Sequence, residues 1–125
     1  MSMMQEILRA FLLSLGVFEV ITNVVFLLKT DGMSLARKQH QELPKDLPDK
    51  RIMIKVVLML LFGMAFLAVS IISYILHGYL NYTILIILFL FSAYGVTEAI
   101  CYKYWKTWGF ACVTLVMLLL SIINI

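Results

Sequence analysis

VVLMLLFGMAFLAVSIISYIL, Val56 to Leu76, runs without a single charged residue. A bilayer hydrocarbon core about 30 Å thick is crossed by roughly 20 apolar residues in an α-helix. The apolar residues form one continuous block and do not alternate, which excludes a barrel strand. In lipid the backbone must bond to itself, and a helix does so. Three further runs have the same character: about Ala10 to Leu28, Tyr82 to Tyr102, and Thr107 to Ile125. The 125-residue chain is 63% apolar and only 14% charged, against about half apolar in soluble domains. Its mean hydropathy is +1.01. The sequence therefore predicts one all-α integral membrane domain over residues 1–125, a four-transmembrane-helix bundle.

The first run reads as a retained helix. Its leader, MSMMQEILR, carries Glu6 as well as Arg9, unlike a basic signal-peptide start, and no small-x-small site follows. Segment 29–55 holds Lys29, Arg37, Lys38, Lys45, Lys50, Arg51 and Lys55, and the last turn adds Lys103 and Lys106, whereas Arg9 lies alone on the other side. That nine-to-one bias predicts a cytoplasmic linker 29–55, both termini outside, and a location in the cytoplasmic (plasma) membrane. The net charge of +3 then reflects topology. The bilayer is the implied partner, and nucleic acid is not.

Cys101 and Cys112 form no CxxC pair and are expected as buried small residues. The linker KTDGMSLARKQHQELPKDLPDKR (Lys29–Arg51) reads as a solvated, mixed-charge connector. Asp31-Gly32 would turn, Ser34 would cap a short helix with a thin apolar face of Leu35 and Leu43, and Pro44 would end it. Arg37 and Lys38 offer a docking handle for a partner in the alternative reading. The turn HGYLNY, His77 to Tyr82, is short and uncharged. Tyr79, Tyr82, Trp105 and Trp108 fall where interfacial aromatics sit. His77 has no neighbour spaced to complete a metal set, and neither metal nor cofactor is expected.

Two short frames repeat: GVFEVI at Gly16–Ile21 and GVTEAI at Gly95–Ile100. With one gap, FLLSL-GVFEVI aligns with FLFSAYGVTEAI, followed loosely by Gly63-Met-Ala against Gly109-Phe-Ala and Ser70-Ile-Ile against Ser121-Ile-Ile. A duplicated helical hairpin is the simplest source. Each hairpin crosses twice, so the copies would form a parallel repeat about an axis along the membrane normal.

Neither repeated acid should face lipid, where even lenient scales charge roughly 2.5–3.5 kcal/mol for one at the bilayer centre. Helical spacing puts Glu19, Thr22 and Asn23 on one face. Asn23 and Glu98 have similar depths, which predicts a hydrogen bond between them, and Lys55 reaches Glu98 by snorkelling. Gly16 and Gly95 lie one turn before each acid and admit a neighbouring backbone. The expected ion, proton or ligand site is thus Glu19, Glu98, Asn23, Thr22 and Lys55. In size, helix count and a first-helix Glu followed by Lys and Gly, the stretch Gly16–Gly32 resembles small multidrug resistance transporters. The chain departs from them in its long first loop, in the distance from Glu19 to Lys29, and in lacking their second-helix Pro/Tyr/Trp pattern. The function expected from the residues is non-enzymatic: proton-linked binding or movement of a small solute or ion, by a homo-oligomer or larger membrane complex. The alternative is an accessory, stabilising or immunity-type protein that binds another membrane protein.

Overall fold

The computed structural model describes residues 2–125, which form five α-helices and no strand. They are α1 (Met3–Leu28), α2 (Gly32–Gln39), α3 (Asp49–Leu76), α4 (Asn81–Tyr102) and α5 (Trp105–Ile123). Four of them, α1, α3, α4 and α5, are long and apolar enough to cross a membrane. The chain is a membrane-embedded, all-helical protein.

Two helices begin ahead of their apolar runs. α1 starts at Met3 because Ser2 and Gln5 form a capping box, Ser2 Oγ accepting from the Gln5 N–H and Gln5 Oε1 from the Ser2 N–H, each at 3.1 Å. α3 starts at Asp49, directly after Pro48, whose extended backbone forms the N-cap. An acid in the first turn suits the helix dipole. Lys50, Arg51 and Lys55, expected in the linker, are therefore helical, and Lys55 gains a fixed direction.

α1 packs along α3, and α4 along α5. Glycine makes the first contact possible: a Cβ on Gly16 would lie 2.7 Å from the Leu67 N, and one on Gly63 would lie 2.8 Å from the Glu19 Cβ. Small residues of this kind let helix backbones approach in a medium that supplies no hydrophobic drive between helices. Gly95 packs on Thr114 and Ala111 of α5, whereas nothing lies within 4 Å of a Cβ on Gly109. The expected equivalence of Gly63 with Gly109 therefore fails. Between the helix pairs lies an apolar core of Leu8, Leu12, Met59, Phe66, Leu88, Phe91 and their neighbours. The rings of Phe62, Phe66, Phe91, Tyr94 and Phe110 meet there at 4.9–6.3 Å between centroids.

The outward faces are greasy, with Ile75, Ile86, Phe89 and Val113 exposed, while Asn23, Lys55, Ser70, Ser92, Thr107 and Thr114 are buried. This inversion suits a lipid solvent, in which polar groups do best when bonded to one another. Cys101 and Cys112 are exposed, which corrects the expected burial. A small, weakly polar thiol costs little against lipid.

The linker is more than a solvated connector, because part of it packs against the helices. Ala36 and Leu43 are fully buried with Phe26, Ile52 and Val56 in a second apolar cluster. Gly32 permits this docking: a Cβ there would lie 1.7 Å from the Phe26 O, so the chain folds back tightly under α1. Ser34 lies inside α2, whose N-cap is Asp31, and the helix ends at Gln39 before Pro44 is reached. Arg37 donates to the carbonyls of Lys45 (3.3 Å) and Leu47 and pairs with Asp49 at 2.7 Å, fastening segment 40–48 to the start of α3.

Candidate functional site

A chain of polar side chains crosses the interior at the linker end. Asn23 sits one turn after Glu19 on α1, and its Nδ2 donates to the Glu19 carboxylate (2.8 Å) and to the Glu19 carbonyl (2.7 Å). Both partners are acceptors, so Asn23 turns its Oδ1 toward His40 Nε2 at 3.2 Å. His40 Nε2 is therefore the donor in that contact. The other ring nitrogen, Nδ1, lies 3.5 Å from Glu42 Oε1. An imidazolium satisfies both contacts, and a neutral ring only one.

Glu42 hands the chain to α3. Its Oε1 is 3.1 Å from Lys55 Nζ, which is in turn 2.9 Å from Glu98 Oε1 on α4. Tyr94, one turn before Glu98, donates its hydroxyl to Glu98 Oε2 at 2.5 Å. The Lys55 ammonium also lies 3.7 Å from the Phe110 ring centroid, a cation–π contact that replaces part of its lost hydration. Lys55 is 1% exposed, Glu98 5% and Glu19 6%. Glu42, its side chain 21% exposed, is the member nearest the surface. Burial opposes ionisation of Glu42, but the His40 hydrogen bond and the Lys55 charge outweigh it and hold its carboxyl at about 2.

The charges do not distribute evenly. Glu42 and Glu98 each touch a cation, whereas Glu19 has no cation within 4.0 Å among the described residues and bonds only to the Asn23 amide. An anion at that position lacks the pairing that buried charges require.

The structure brings together Glu19 with Asn23 and Lys55 with Glu98, as the sequence predicts. It does not join Asn23 to Glu98: Asn23 bonds to Glu19 and His40, because α1 lies along α3 and the linker fills the intervening space. Thr22 leaves the site altogether. Its hydroxyl donates to the Phe18 carbonyl of its own helix at 2.8 Å and lines a shallow outer groove. Four participants escaped the sequence reading: His40, Glu42, Tyr94 and Phe110. His40 and Glu42 sit in a mixed-charge segment where no local pattern separates a buried acid from a solvated one. The available signal was charge accounting, since a buried Lys55 demands more than one acceptor.

A second polar group closes the opposite end. Arg9 Nη1 donates to Ser73 at 3.4–3.5 Å, and its guanidinium lies 3.9 Å from the Tyr74 ring centroid. Gln5 reaches the Asn124 carbonyl and Asn81. His77 is an exposed left-handed cap of α3 with φ 53°. Among the described residues no three His, Cys, Asp or Glu gather as a metal set. The chain matches no protein-family model, no curated protein and no solved structure.

Proposed function

We propose that this is a non-enzymatic membrane protein that binds or moves a small solute or ion in a proton-linked way, with Glu19 as the group that gains and loses the proton. The observation that carries this reading is the unbroken contact sequence Glu19–Asn23–His40–Glu42–Lys55–Glu98. It connects a cation-free acid inside α1 to a partly exposed carboxylate in the linker. Intramembrane acids without a structural counter-ion are functional candidates by default. His40 stands mid-chain, between Asn23 and Glu42. The nine-to-one charge bias supports a plasma-membrane orientation with the linker in the cytoplasm and both termini outside.

The reading includes a bundle of two parallel-repeat hairpins. In the register that sets Gly16 on Gly95 and Glu19 on Glu98, no gap is needed: Arg9 falls on Leu88 and Leu12 on Phe91, all buried. Setting Ser70 on Ser121 then puts Gly63 on Thr114, and these are the residues against which Gly16 and Gly95 pack. The reading also includes a homo-oligomer or larger complex, because four helices of one chain enclose little space for a solute path.

The test needs no known solute. Infrared difference spectra of the reconstituted protein should show a carboxyl C=O band that changes with pH and is lost in Glu19→Gln. Glu19→Asp should keep the band at a shifted midpoint. Gln keeps the shape and the hydrogen-bonding capacity toward Asn23 but does not titrate. A band unchanged in Glu19→Gln would reduce Glu19 to hydrogen-bonding glue.

A second reading, an accessory protein that binds another membrane protein, is favoured by one feature. An apolar groove of about 490 Å³ runs between α1 and α5, lined by Ile7, Phe11, Val113 and Val116 among others. Co-purification of a stoichiometric membrane partner with the wild-type chain, lost in Val113→Trp, would support it over transport.

A further inference from the structure

Beneath the docked linker lies a pocket of about 370 Å³ whose charged lining is of one sign. Arg37 and Lys38 come from α2, Lys45 from the segment after it, and Lys106 from the first turn of α5. Gln41, Leu43, Pro44, Ile52 and the edge of His40 form the remaining wall, and no acid lines it. Lys38, Lys45 and Lys106 make no ion pair among the described residues, and Arg37 spends its one pair on Asp49.

Lys106 is the most telling of these. It occupies the positive end of the α5 dipole, where a cation is unfavourable. That turn has no acidic residue and no side-chain cap. Electrostatics alone would choose an anion beside it. Its neighbour Trp105 is exposed, as is Trp108 one turn on, and exposed tryptophans at a helix end mark the headgroup layer. Basic pockets between membrane helices at this level hold phosphate-bearing headgroups.

We infer that this pocket binds a phosphate-type anion, with Lys38, Lys45 and Lys106 as its ligands and Arg37 as the residue that holds Lys45 in place. The pocket's level in the membrane favours the phosphodiester headgroup of an anionic phospholipid as the source of that phosphate. The inference does not rest on the proton-linked reading: its ligands are lysines outside the Glu19–Glu98 chain, which shares only His40 with the pocket wall.

The test uses the full chain in nanodiscs of phosphatidylcholine with a small fraction of phosphatidylglycerol. Lipid retained through detergent exchange is read by native mass spectrometry. Lys38→Gln/Lys106→Gln should lower phosphatidylglycerol retention at least tenfold, whereas Lys38→Gln/Lys50→Gln, which carries the same net charge with one lysine outside the pocket, should retain clearly more. Thermal protection by inorganic phosphate, lost in the same pocket variant but with no preference for phosphatidylglycerol, would keep the anion site and move its source to the aqueous phase. Equal loss in both double variants would reduce the effect to general surface charge and overturn the proposal. Unchanged binding of both probes in Lys38→Gln/Lys106→Gln, with circular dichroism confirming an intact fold, would overturn it as well.

Discussion

Replacing Lys55 with Met removes the one cation that touches both Glu42 and Glu98, at 3.1 and 2.9 Å. At an effective dielectric of about 20, the attraction across 2.9 Å is about 6 kcal/mol. Desolvating the ions takes back most of that, so an intact buried pair adds little net stability. Loss of one member is different. In Lys55→Met, Glu98 keeps only the Tyr94 hydroxyl, its side chain 3% exposed and out of reach of water. Uncompensated buried charges of this kind cost about 3–5 kcal/mol. Lys55→Met/Glu98→Gln should recover more than half of the loss, because Gln still accepts from Tyr94 and Glu42 is exposed enough to find water. The assay is reversible unfolding in mixed micelles, followed by energy transfer between dyes on Leu28 and Ile100, both exposed. It requires a Cys101→Ser/Cys112→Ser background, since both thiols are accessible. If Lys55→Met lies within about 1 kcal/mol of the parent, or the double variant is no better than the single, the balanced-charge account of the cluster is wrong.

Linker docking should depend on acid pH through Glu42, whose carboxyl is held at about 2 against an ordinary 4.5. A lowered folded-state value means that its contribution, about 3 kcal/mol, is complete above 4.5 and fades as pH falls toward 2. A spin label at Gln39 should become mobile over that window, and Glu42→Gln should remove the acid-dependent step. Gly16→Val should separate α1 from α3, because its first added carbon meets the Leu67 N at 2.7 Å, while Gly109→Ala, with nothing within 4 Å, should be neutral or stabilising by about 0.5–1 kcal/mol. Thermal unfolding of the two variants checks this contrast, and equal melting temperatures would refute the close-packing argument. In intact cells an impermeant thiol reagent should label Asn81→Cys and spare Gln39→Cys in the Cys-free background, and the reverse pattern would invert the orientation.

Sequence alone determined the class of this protein. Helix number and approximate span follow from the length of uninterrupted apolar runs, because lipid imposes one requirement on every residue of a crossing segment. Lys55 meeting Glu98 was legible for a related reason: two opposite charges at like depth in an apolar medium have few other partners. Thr22 was misplaced because a hydroxyl can satisfy itself on its own helix at Phe18, so its position near Glu19 in sequence carries no obligation. Only the tertiary structure showed that the linker is part of the interior. Ala36, His40 and Leu43 sit in a mixed-charge stretch whose thin apolar face does not mark it for burial. Their burial depends on Gly32 folding the chain back beneath Phe26 and on Arg37 fastening segment 40–48 to α3. The depth of a membrane helix is written in its own composition, whereas the burial of a polar loop is set by which distant groups complete its hydrogen bonds and charges, and a linear sequence does not record those distances.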